Sequence, residues 1–357
     1  MNIDFFCPFG HTGYGNASLN ILKSLYSDKS HTYDLSATPM SNNCENESDA
    51  AFIEQLSAKG KFMPYDSICV KIWHQFDLLK RVGNGRYFAY PFFEIDTFND
   101  IEKHHLNFPD QLICSSHWAS GVLLNNNIKK KISVVPLGVD KNIFKASDTQ
   151  PTKDKYVFIT VGKWEIRKSH DIVIECFNKA FENTDNVELW MITHNPFLSE
   201  QDTKSWEIFA KSSKLGNKIK IFPKLATQYD VAQAMSHADC GLYISRAEGW
   251  NLELLENMAM NRPVIATNYS AHTEYCNSSN SFLVDIPKTT KAIDGKWFHG
   301  DGNWADITEN EQNVIIDYMK YVYKNNVNTN PGGLETSSKF TWENSAKELI
   351  KCVESGD

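Results

Sequence analysis

The sequence predicts an α/β protein with two Rossmann-like domains, each built on a doubly wound parallel sheet. Three observations lead to this fold class. The 357 residues are enough for two domains of ordinary size. Short apolar runs alternate with longer amphipathic runs, which is typical of strands and helices in a parallel sheet. Near the start of the chain, a strand-like run, a glycine loop and a helical run follow one another, as in the first unit of a doubly wound domain.

The first half of the chain supplies the elements of one such domain. Residues 2–7 are the first strand, and Gly10, Gly13 and Gly15 lie in the loop that follows it. The polar segment Ser41–Asp49 is expected to be a loop. The other elements of this half are a helix at Ala17–Tyr26, strands at Ser67–Trp73, Gln111–Cys114 and Ile132–Val135, and a helix at Trp118–Asn126.

The second half repeats the alternation after a polar, proline-containing linker at Lys145–Lys155. After Asn277 the pattern is weak as far as Gly302. We expect a first domain at 1–148, a second at 149–340 and a C-terminal helix at 341–357. The strands predicted here are Tyr156–Val161, Val187–Ile192, Lys218–Phe222, Gly241–Ile244 and Val264–Thr267, and the helices are Asp171–Phe181, Asp202–Ser212, Gln228–Ser236, Leu252–Met260, Glu309–Lys324 and Thr341–Val353.

The composition disfavours several classes of function. The net charge is −8, with 14 basic and 16 acidic residues in the first 150, so neither half is basic and nucleic-acid binding is disfavoured. The eight cysteines show no Cys-x-x-Cys pair, and the histidines lack the spacing of metal ligands. The chain has no signal-peptide pattern and no apolar run of about 18 residues. We therefore expect a cytoplasmic protein.

The most informative segment is Ser245–Glu256, in which seven residues separate Glu248 from Glu256. The strand before it and the helix after it place backbone N–H groups at a helix N-terminus, which suits a phosphate. Carboxylates accept hydrogen bonds from hydroxyl groups, and sugars carry many hydroxyls. The combination suggests a sugar nucleotide, with its diphosphate at the helix, its ribose on one glutamate and its sugar on the other.

The segment Asp239–Glu274 contains the runs Glu-Gly-Trp-Asn-Leu, Arg-Pro-Val-Ile-Ala-Thr and Thr-Glu-Tyr. It resembles the signature of glycosyltransferase family 4. The resemblance implies the GT-B fold, in which two Rossmann-like domains face a cleft, with the C-terminal helix packed back on the first domain. It also implies retaining transfer from a UDP-, GDP- or ADP-sugar without a required metal ion or other cofactor.

The same resemblance assigns residues to the donor. Gly162–Lys168 is similar to the family's G-R/K-x4-K element, so Lys163 and Lys168 are expected at the diphosphate, while Arg167 is outside the pattern. Glu256 is expected to bind the ribose and Glu248 the transferred sugar. Gly249, Asn251 and Leu252 are expected to present backbone N–H groups to phosphate.

Four positions depart from the usual pattern of the family. Many relatives carry glycine where this chain has Asn251, and Gly-Gly where it has Ser270 and Ala271. Asn261 stands where the family often has glycine after the helix. Because asparagine is the next-best residue after glycine for the left-handed position that ends a helix, we expect the fold to tolerate that change.

The first domain is expected to hold the acceptor. Gly13, Tyr14 and Gly15 belong to its glycine loop, although a tight turn without a ligand explains that loop equally well. By resemblance, His74 faces the donor sugar across the cleft, and Glu94 is a second candidate. A histidine at a strand end is more often a packed residue. The predicted catalytic residues are Glu248, Lys168 and His74.

We therefore expect a retaining transferase that moves a hexose-type sugar from a nucleotide-diphosphate sugar to a hydroxyl acceptor. The acceptor is left open between a glycan, a lipid-linked glycan at a membrane surface, a small molecule, a glycosylated protein and a modified DNA base. The alternatives are a GT-B-shaped binding or scaffold subunit without catalysis, and a phosphorylase- or epimerase-like enzyme. Fold alone does not decide among them.

Overall fold

A computed structural model describes residues 1–10, 12–29, 33–44, 46–146 and 154–355. The chain divides into two compact units. The first consists of Met1–Gly138 with Phe340–Asp357, and the second of Val139–Lys339. Most of the predicted linker, residues 147–153, and the predicted boundary at 148 lie outside the described residues.

The strands of the described residues are numbered in chain order. They are β1 Asn2–Gly10, β2 Asp34–Asn43, β3 Ile68–Trp73, β4 Tyr87–Pro91, β5 Gln111–Cys114, β6 Lys131–Val134, β7 Tyr156–Val161, β8 Val187–Ile192, β9 Ile219–Ile221, β10 Cys240–Tyr243, β11 Val264–Asn268, β12 Phe282–Asp285, β13 Thr289–Ile293 and β14 His299–Ala305.

The helices of the described residues are numbered in the same way. They are α1 Gly13–Ser27, α2 Glu47–Gly60, α3 Asp100–Leu106, α4 His117–Asn125, α5 His170–Ala180, α6 Glu200–Ser212, α7 Gln228–Ser236, α8 Leu252–Ala259, α9 Glu309–Lys324, α10 Pro331–Lys339 and α11 Trp342–Glu354.

The first unit is built on a six-stranded sheet in the order β2-β1-β3-β4-β5-β6, with every pair parallel. Its central strands are buried along nearly their whole length, as expected where helices cover both faces of a sheet. Helix α11 belongs to this unit and packs against α1. Ser345 Oγ of α11 donates a hydrogen bond to the carbonyl oxygen of Pro136 at 2.7 Å.

The second unit contains a six-stranded parallel sheet in the order β9-β8-β7-β10-β11-β12. In order along this unit, its strands therefore run 3-2-1-4-5-6, the order of dinucleotide-binding domains. The core includes Phe158, Leu189, Leu242, Ile265 and Met319, all fully buried. Two parallel, helix-covered sheets confirm the predicted fold class at the level of α/β architecture.

Three segments differ from the sequence prediction. A glycine loop was expected after the first strand, but β1 extends to Gly10 and α1 begins at Gly13, so Gly13, Tyr14 and Gly15 lie in the helix. The polar segment Ser41–Asp49 was expected to be a loop, but β2 extends to Asn43 and α2 begins at Glu47. Pairing with β1 holds this polar end of β2 in the sheet in spite of its composition. In the weak stretch before Gly302, β13 and β14 form an antiparallel hairpin beside the parallel sheet. No helix of the described residues is both long enough and apolar enough to span a bilayer.

Candidate functional site

The candidate site of the second unit lies at the carboxyl ends of β7 and β10, which are neighbours in the sheet. The strand order reverses between these two strands, because β8 and β9 lie on one side and β11 and β12 on the other. Open α/β sheets bind ligands at such a switch point. The loop after β7, residues 162–169, carries the predicted cations, and the loop after β10, residues 244–251, carries Glu248.

The loop after β7 is shaped by Gly162 and closed by His170. Gly162 has a φ of +143°, a region that favours glycine, and a Cβ atom there would lie 3.1 Å from Lys168 Cε. His170 Nε2 donates to the carbonyl oxygens of Gly162 and Lys163, each at 3.0 Å. Burial and the charge of Lys168 lower the pKa of His170 to about 4. The ring is therefore neutral near pH 7, with its proton on Nε2, and it holds the loop against α5.

Five side chains of alternating charge, which we call the ion chain, connect the two loops. Lys163 Nζ lies 2.8 Å from Glu165 Oε1, and Arg167 Nη2 lies 2.8 Å from Glu165 Oε2. Arg167 Nη1 lies 2.9 Å from Glu248 Oε2. Lys168 Nζ lies 2.9 Å from Glu248 Oε1. The two predicted cations are thus joined through Glu165, Arg167 and Glu248.

Glu248 is the best-anchored carboxylate of the site, and only 4% of it is exposed. Ser245 Oγ donates to Glu248 Oε1 at 2.5 Å, and the Glu248 amide donates to Ser270 Oγ at 2.8 Å. Burial favours the neutral acid, but the charges of Lys168 and Arg167 outweigh it and lower the pKa of Glu248 well below its usual range. Glu248 is therefore an ionised hydrogen-bond acceptor.

Lys168 of the ion chain keeps its charge. Burial opposes the charge of Lys168, yet Glu248 and Glu253 raise its pKa above the usual range. Glu165 is also ionised, because Arg167 and Lys163 lower its pKa against the effect of burial. Two ammonium groups held at the switch point of the sheet can stabilise an anionic leaving group.

Helix α8 begins with a residue in an unusual backbone conformation. Asn251 has φ of 74° and ψ of 79°, and its side chain accepts a hydrogen bond from the Leu254 amide at 3.2 Å. Its Nδ2 donates to His272 Nε2 at 2.8 Å, and His272 Nδ1 donates to the Thr267 carbonyl oxygen at 2.9 Å. Burial lowers the pKa of His272, so the ring is neutral and accepts at Nε2. The helix start is thereby fixed, with Leu252 as its first residue and Gly249 in the preceding loop.

Three of the four residues that depart from the family pattern have a positive φ. Asn251, Asn261 and Ser270 have φ of 74°, 59° and 55°. The amides of Asn261 and Arg262 donate to the carbonyl oxygens of Met258 and Asn257, which closes α8 as expected. At Ser270, the hydrogen bond to the Glu248 amide offsets the strain of a left-handed serine.

Glu256 lies on the second turn of α8 and is only 6% exposed. Its carboxyl group has no hydrogen-bond or ion-pair partner among the described residues. Burial, and then the charge of Glu253, raise the pKa of Glu256 well above its usual range. The two predicted glutamates therefore differ in charge: Glu248 is ionised, and Glu256 is a buried neutral acid.

In the first unit, Tyr14 and His74 meet at the carboxyl ends of β1 and β3. Tyr14 Oη donates its proton to the Phe92 carbonyl oxygen at 2.6 Å. The Tyr14 oxygen therefore accepts from His74 Nδ1, which lies 3.1 Å away. This contact places the Nδ1 proton of His74. The ring of His74 also stacks on Phe76 with centroids 4.9 Å apart and an angle of 9°.

The remaining predicted residues of the first unit lie near the same strand ends. Gly15 packs on Gly10, because a Cβ atom at Gly15 would lie 2.6 Å from the Gly10 nitrogen. Gly13 is exposed at the start of α1, with open space around its Cα. Glu94 is half-buried and follows β4. The structure thus gives Gly15 a packing role.

The structure brings Lys163, Lys168 and Glu248 together through two residues that sequence reasoning left out of the site. Arg167 lies outside the family pattern, and no sequence motif indicates Glu165. The signal was present as the alternating charges of Lys163, Glu165 and Arg167 along one short loop. Among the described residues, no group of three or more His, Cys, Asp or Glu is arranged to hold a metal ion.

Comparison with known proteins agrees with this geometry. Residues 155–294 match the family model of glycosyl transferases group 1. This group 1 segment includes both loops of the candidate site and every member of the ion chain.

Two proteins from other organisms have similar sequences. A probable sucrose-phosphate synthase from Thermosipho melanesiensis is 26% identical over 231 residues, which are 64% of this chain and 48% of that protein. An uncharacterized glycosyltransferase from Methanocaldococcus jannaschii is 25% identical over 272 residues, 71% of this chain and 65% of that protein. The matched part of the chain thus spans about half to two-thirds of these relatives.

Solved structures with similar folds extend over both units. A sucrose-phosphate synthase from Thermosynechococcus elongatus aligns with a TM-score of 0.72 at 13% identity, covering 99% of this chain and 98% of that one. The Anabaena protein HepE in complex with UDP-glucose aligns with a TM-score of 0.71 at 15% identity, covering 99% and 100%. These are GT-B structures, so the predicted GT-B fold is confirmed.

Proposed function

We propose that this chain is a retaining glycosyltransferase of the family 4 type, which moves a hexose from a nucleotide-diphosphate sugar to a hydroxyl acceptor. One observation carries the proposal. The ion chain holds two lysines and an ionised glutamate at the switch point of a dinucleotide-binding sheet, inside the segment that matches the group 1 transferases. Cations bind a diphosphate, and an ionised carboxylate accepts hydrogen bonds from sugar hydroxyls. The two together suit a sugar attached to a diphosphate.

The second unit is proposed to bind the donor. Lys163 and Lys168 bind the diphosphate, and backbone N–H groups at the start of α8 bind it from the other side. Gly249, Asn251 and Leu252 supply that part of the main chain.

The two glutamates are proposed to bind opposite ends of the donor. The ionised Glu248 accepts a hydrogen bond from the sugar, and Glu256, which is neutral in the free protein, binds the ribose. A carboxyl group without a partner in the protein gains most from a ligand that supplies hydroxyl donors.

Charge stabilisation and positioning are the proposed sources of catalysis. The bond between the sugar and the diphosphate breaks, and the leaving diphosphate gains negative charge, which Lys168 offsets from a site where water is excluded. The new bond forms on the same face of the sugar, with the leaving phosphate oxygen helping to deprotonate the acceptor. No metal ion is needed in this scheme, so we propose that EDTA leaves the activity intact.

The first unit is proposed to receive the acceptor. The residues assigned to it are Tyr14, His74, Glu94, Gly13 and Gly15, at the carboxyl ends of parallel strands. We propose a glycan, lipid-linked or other hydroxyl acceptor, and a cytoplasmic protein that contacts a membrane surface when the acceptor is lipid-linked.

A donor screen tests the proposed function. The protein is incubated without acceptor with UDP-, GDP- and ADP-sugars, and nucleotide release is measured for the wild type and for Lys168→Ala. We expect the wild type to release nucleotide from one class of donor and the variant to lose that activity. A wild type that binds nucleotide tightly but releases none from any donor would instead be a binding subunit.

A further inference from the structure

Glu165 and Arg167 hold buried positions between the two lysines that the proposed function assigns to the diphosphate. Arg167 is 5% exposed and Glu165 is 7% exposed. The Arg167 guanidinium contacts three oxygens: Glu165 Oε2 at 2.8 Å, Glu248 Oε2 at 2.9 Å and the Ala247 carbonyl at 2.8 Å. A planar fork with fixed donors is required to reach all three at once. Arg167 therefore fixes both the position and the rotation of the Glu248 carboxylate.

The hydrogen bonds of Glu248 limit how many hydroxyl groups it can accept. An ionised carboxylate offers about four lone-pair positions, two on each oxygen. Oε1 accepts from Lys168 and from Ser245 Oγ, so both of its positions are used. Oε2 accepts from Arg167. One acceptor position on Oε2 is left for a ligand, and its direction is set by Arg167.

We propose that Arg167 and Glu165 are positioning residues that determine how the site distinguishes a nucleotide sugar from the nucleotide alone. This proposal rests on the proposed function and adds a role to two residues outside its donor set. Arg167 aims the remaining acceptor position of Glu248 at one hydroxyl of the donor sugar. Glu165 keeps Arg167 from turning away, because it holds the other end of the guanidinium.

The proposal predicts different effects on two ligands. A nucleoside diphosphate contacts the lysines, the start of α8 and Glu256, and has no sugar to present to Glu248. The corresponding nucleoside diphosphate glucose, which we call the glucose ester, makes the same contacts and also reaches Glu248. Loss of Arg167 as a positioning residue therefore weakens binding of the glucose ester and leaves binding of the nucleoside diphosphate nearly unchanged.

The experiment compares Arg167→Lys and Glu165→Gln with the wild type by calorimetry. The probes are three pairs of ligands: UDP and UDP-glucose, GDP and GDP-glucose, and ADP and ADP-glucose. Lysine keeps the charge but cannot contact Glu165, Glu248 and the Ala247 carbonyl together. We expect Arg167→Lys to lower the affinity for the glucose ester by about 10-fold or more, as for loss of a charge-assisted hydrogen bond. Its affinity for the nucleoside diphosphate should stay within about 3-fold of the wild-type value.

Arg262→Lys is the matched control. Arg262 is also buried, but its guanidinium donates to the carbonyl oxygens of Ser236 and Asn328, and it follows α8 before β11 begins. We expect this control to lower the thermal midpoint without changing the ratio of the two affinities. Glu165→Gln tests the role of the ion chain even if Arg167→Lys fails to fold. It should change the ratio of the two affinities in the same direction.

The outcomes separate the two proposals. A change in the affinity ratio in Arg167→Lys or Glu165→Gln, but not in Arg262→Lys, supports the positioning role. An unchanged ratio in the folded variants, or an equal loss for both ligands, overturns it while leaving the proposed function in place. A wild type that binds none of the six probes overturns the proposed function itself.

Discussion

Arg167 Nη1 lies 2.9 Å from Glu248 Oε2 and ties the loop after β7 to the loop after β10. The two residues come from separate sequence motifs, 81 positions apart. Their contact joins the lysines of one motif to the carboxylate of the other. A buried charge is costly unless it is paired, so this ion pair stabilises the site in the arrangement that the proposed chemistry requires.

Lys168→Ala is expected to reduce transfer by about 10²–10³, the effect of removing a charge-stabilising group. Lys168 is only 8% exposed and contacts Glu248, so the variant should also lower the thermal midpoint. The measurement is turnover by the folded Lys168→Ala variant. Turnover by Lys163→Ala, a variant at a half-exposed position, is measured for comparison. Near-native turnover of Lys168→Ala would remove Lys168 from the mechanism.

Glu256 is expected to link nucleotide binding to pH. Burial and Glu253 raise its pKa, so the group is neutral in the free protein, whereas ribose hydroxyls that donate to it favour the ionised form. Binding should then release a proton, and affinity should rise with pH up to the raised pKa. Calorimetry in buffers of different ionisation enthalpy measures this release.

The variant Glu256→Gln supplies the control for that linkage. It should lose the proton release and up to about 1.5–3 kcal/mol of nucleotide affinity, the range for hydrogen bonds to a charged group. A 2′-deoxynucleotide should release less proton when it binds the wild type. Wild-type affinity and wild-type proton release in Glu256→Gln would refute the ribose assignment.

Tyr14→Phe is expected to act through His74. The variant removes the oxygen that accepts from His74 Nδ1, while the aromatic contacts remain. We expect kcat to fall by about 10-fold, as when a general acid–base or polarising group is misoriented, with little change in donor KM. Because both residues act together, Tyr14→Phe should have no further effect in a His74→Ala background. Additive losses would show that Tyr14 does not act through His74.

His170 is expected to make the second unit less stable in acid. The pKa of His170 is about 4 in the folded protein, compared with an ordinary value of 6.5. Below pH 6.5 the unfolded chain binds a proton that the folded chain excludes, so stability falls as pH falls toward 4. The total contribution is about 3 kcal/mol.

Denaturant unfolding at pH 7 and pH 4.5 measures this effect. His170→Gln keeps a donor for the carbonyl oxygens of Gly162 and Lys163 but does not titrate, so it should lose less stability between the two values than the wild type. His237→Gln, at an exposed position, should behave like the wild type. Identical losses in the wild type and His170→Gln would exclude this role of His170.

Much of the second unit could be predicted because its local signals agree with its tertiary structure. The strands Tyr156–Val161 and Val187–Ile192 were predicted with their observed bounds, since they are apolar and mostly buried. Helix Gln228–Ser236 was also predicted in full, and the reciprocal hydrogen bonds of Thr227 and Asp230 define its start.

Elements formed by tertiary pairing were harder to predict. Strand β2 is polar over its second half, and the hairpin of β13 and β14 has many exposed positions, so neither shows a clear hydrophobic period. Strand β4 was not predicted, because its five buried residues show no alternation.

In the candidate site, too, some features could be predicted from the sequence and others could not. The motifs indicated Lys163, Lys168 and Glu248, because each follows a strand in a recognisable pattern. The role of Arg167 could not be read from the sequence, since it depends on where its side chain meets Glu248 and the Ala247 carbonyl in the fold. Spacing alone also did not show that Glu248 is ionised while Glu256 is neutral, because burial and neighbouring charge decide both pKa values.

The most direct test of retaining transfer is the anomeric configuration of the first product, followed by proton NMR in excess EDTA. An α-linked nucleotide sugar selected by the donor screen is the substrate, with water or a simple alcohol as acceptor. The account predicts that the wild type consumes the donor and first forms the α-anomer, and that Lys168→Ala does so far more slowly. A β-anomer as the first product, or a loss of activity on adding EDTA, would contradict the proposed mechanism.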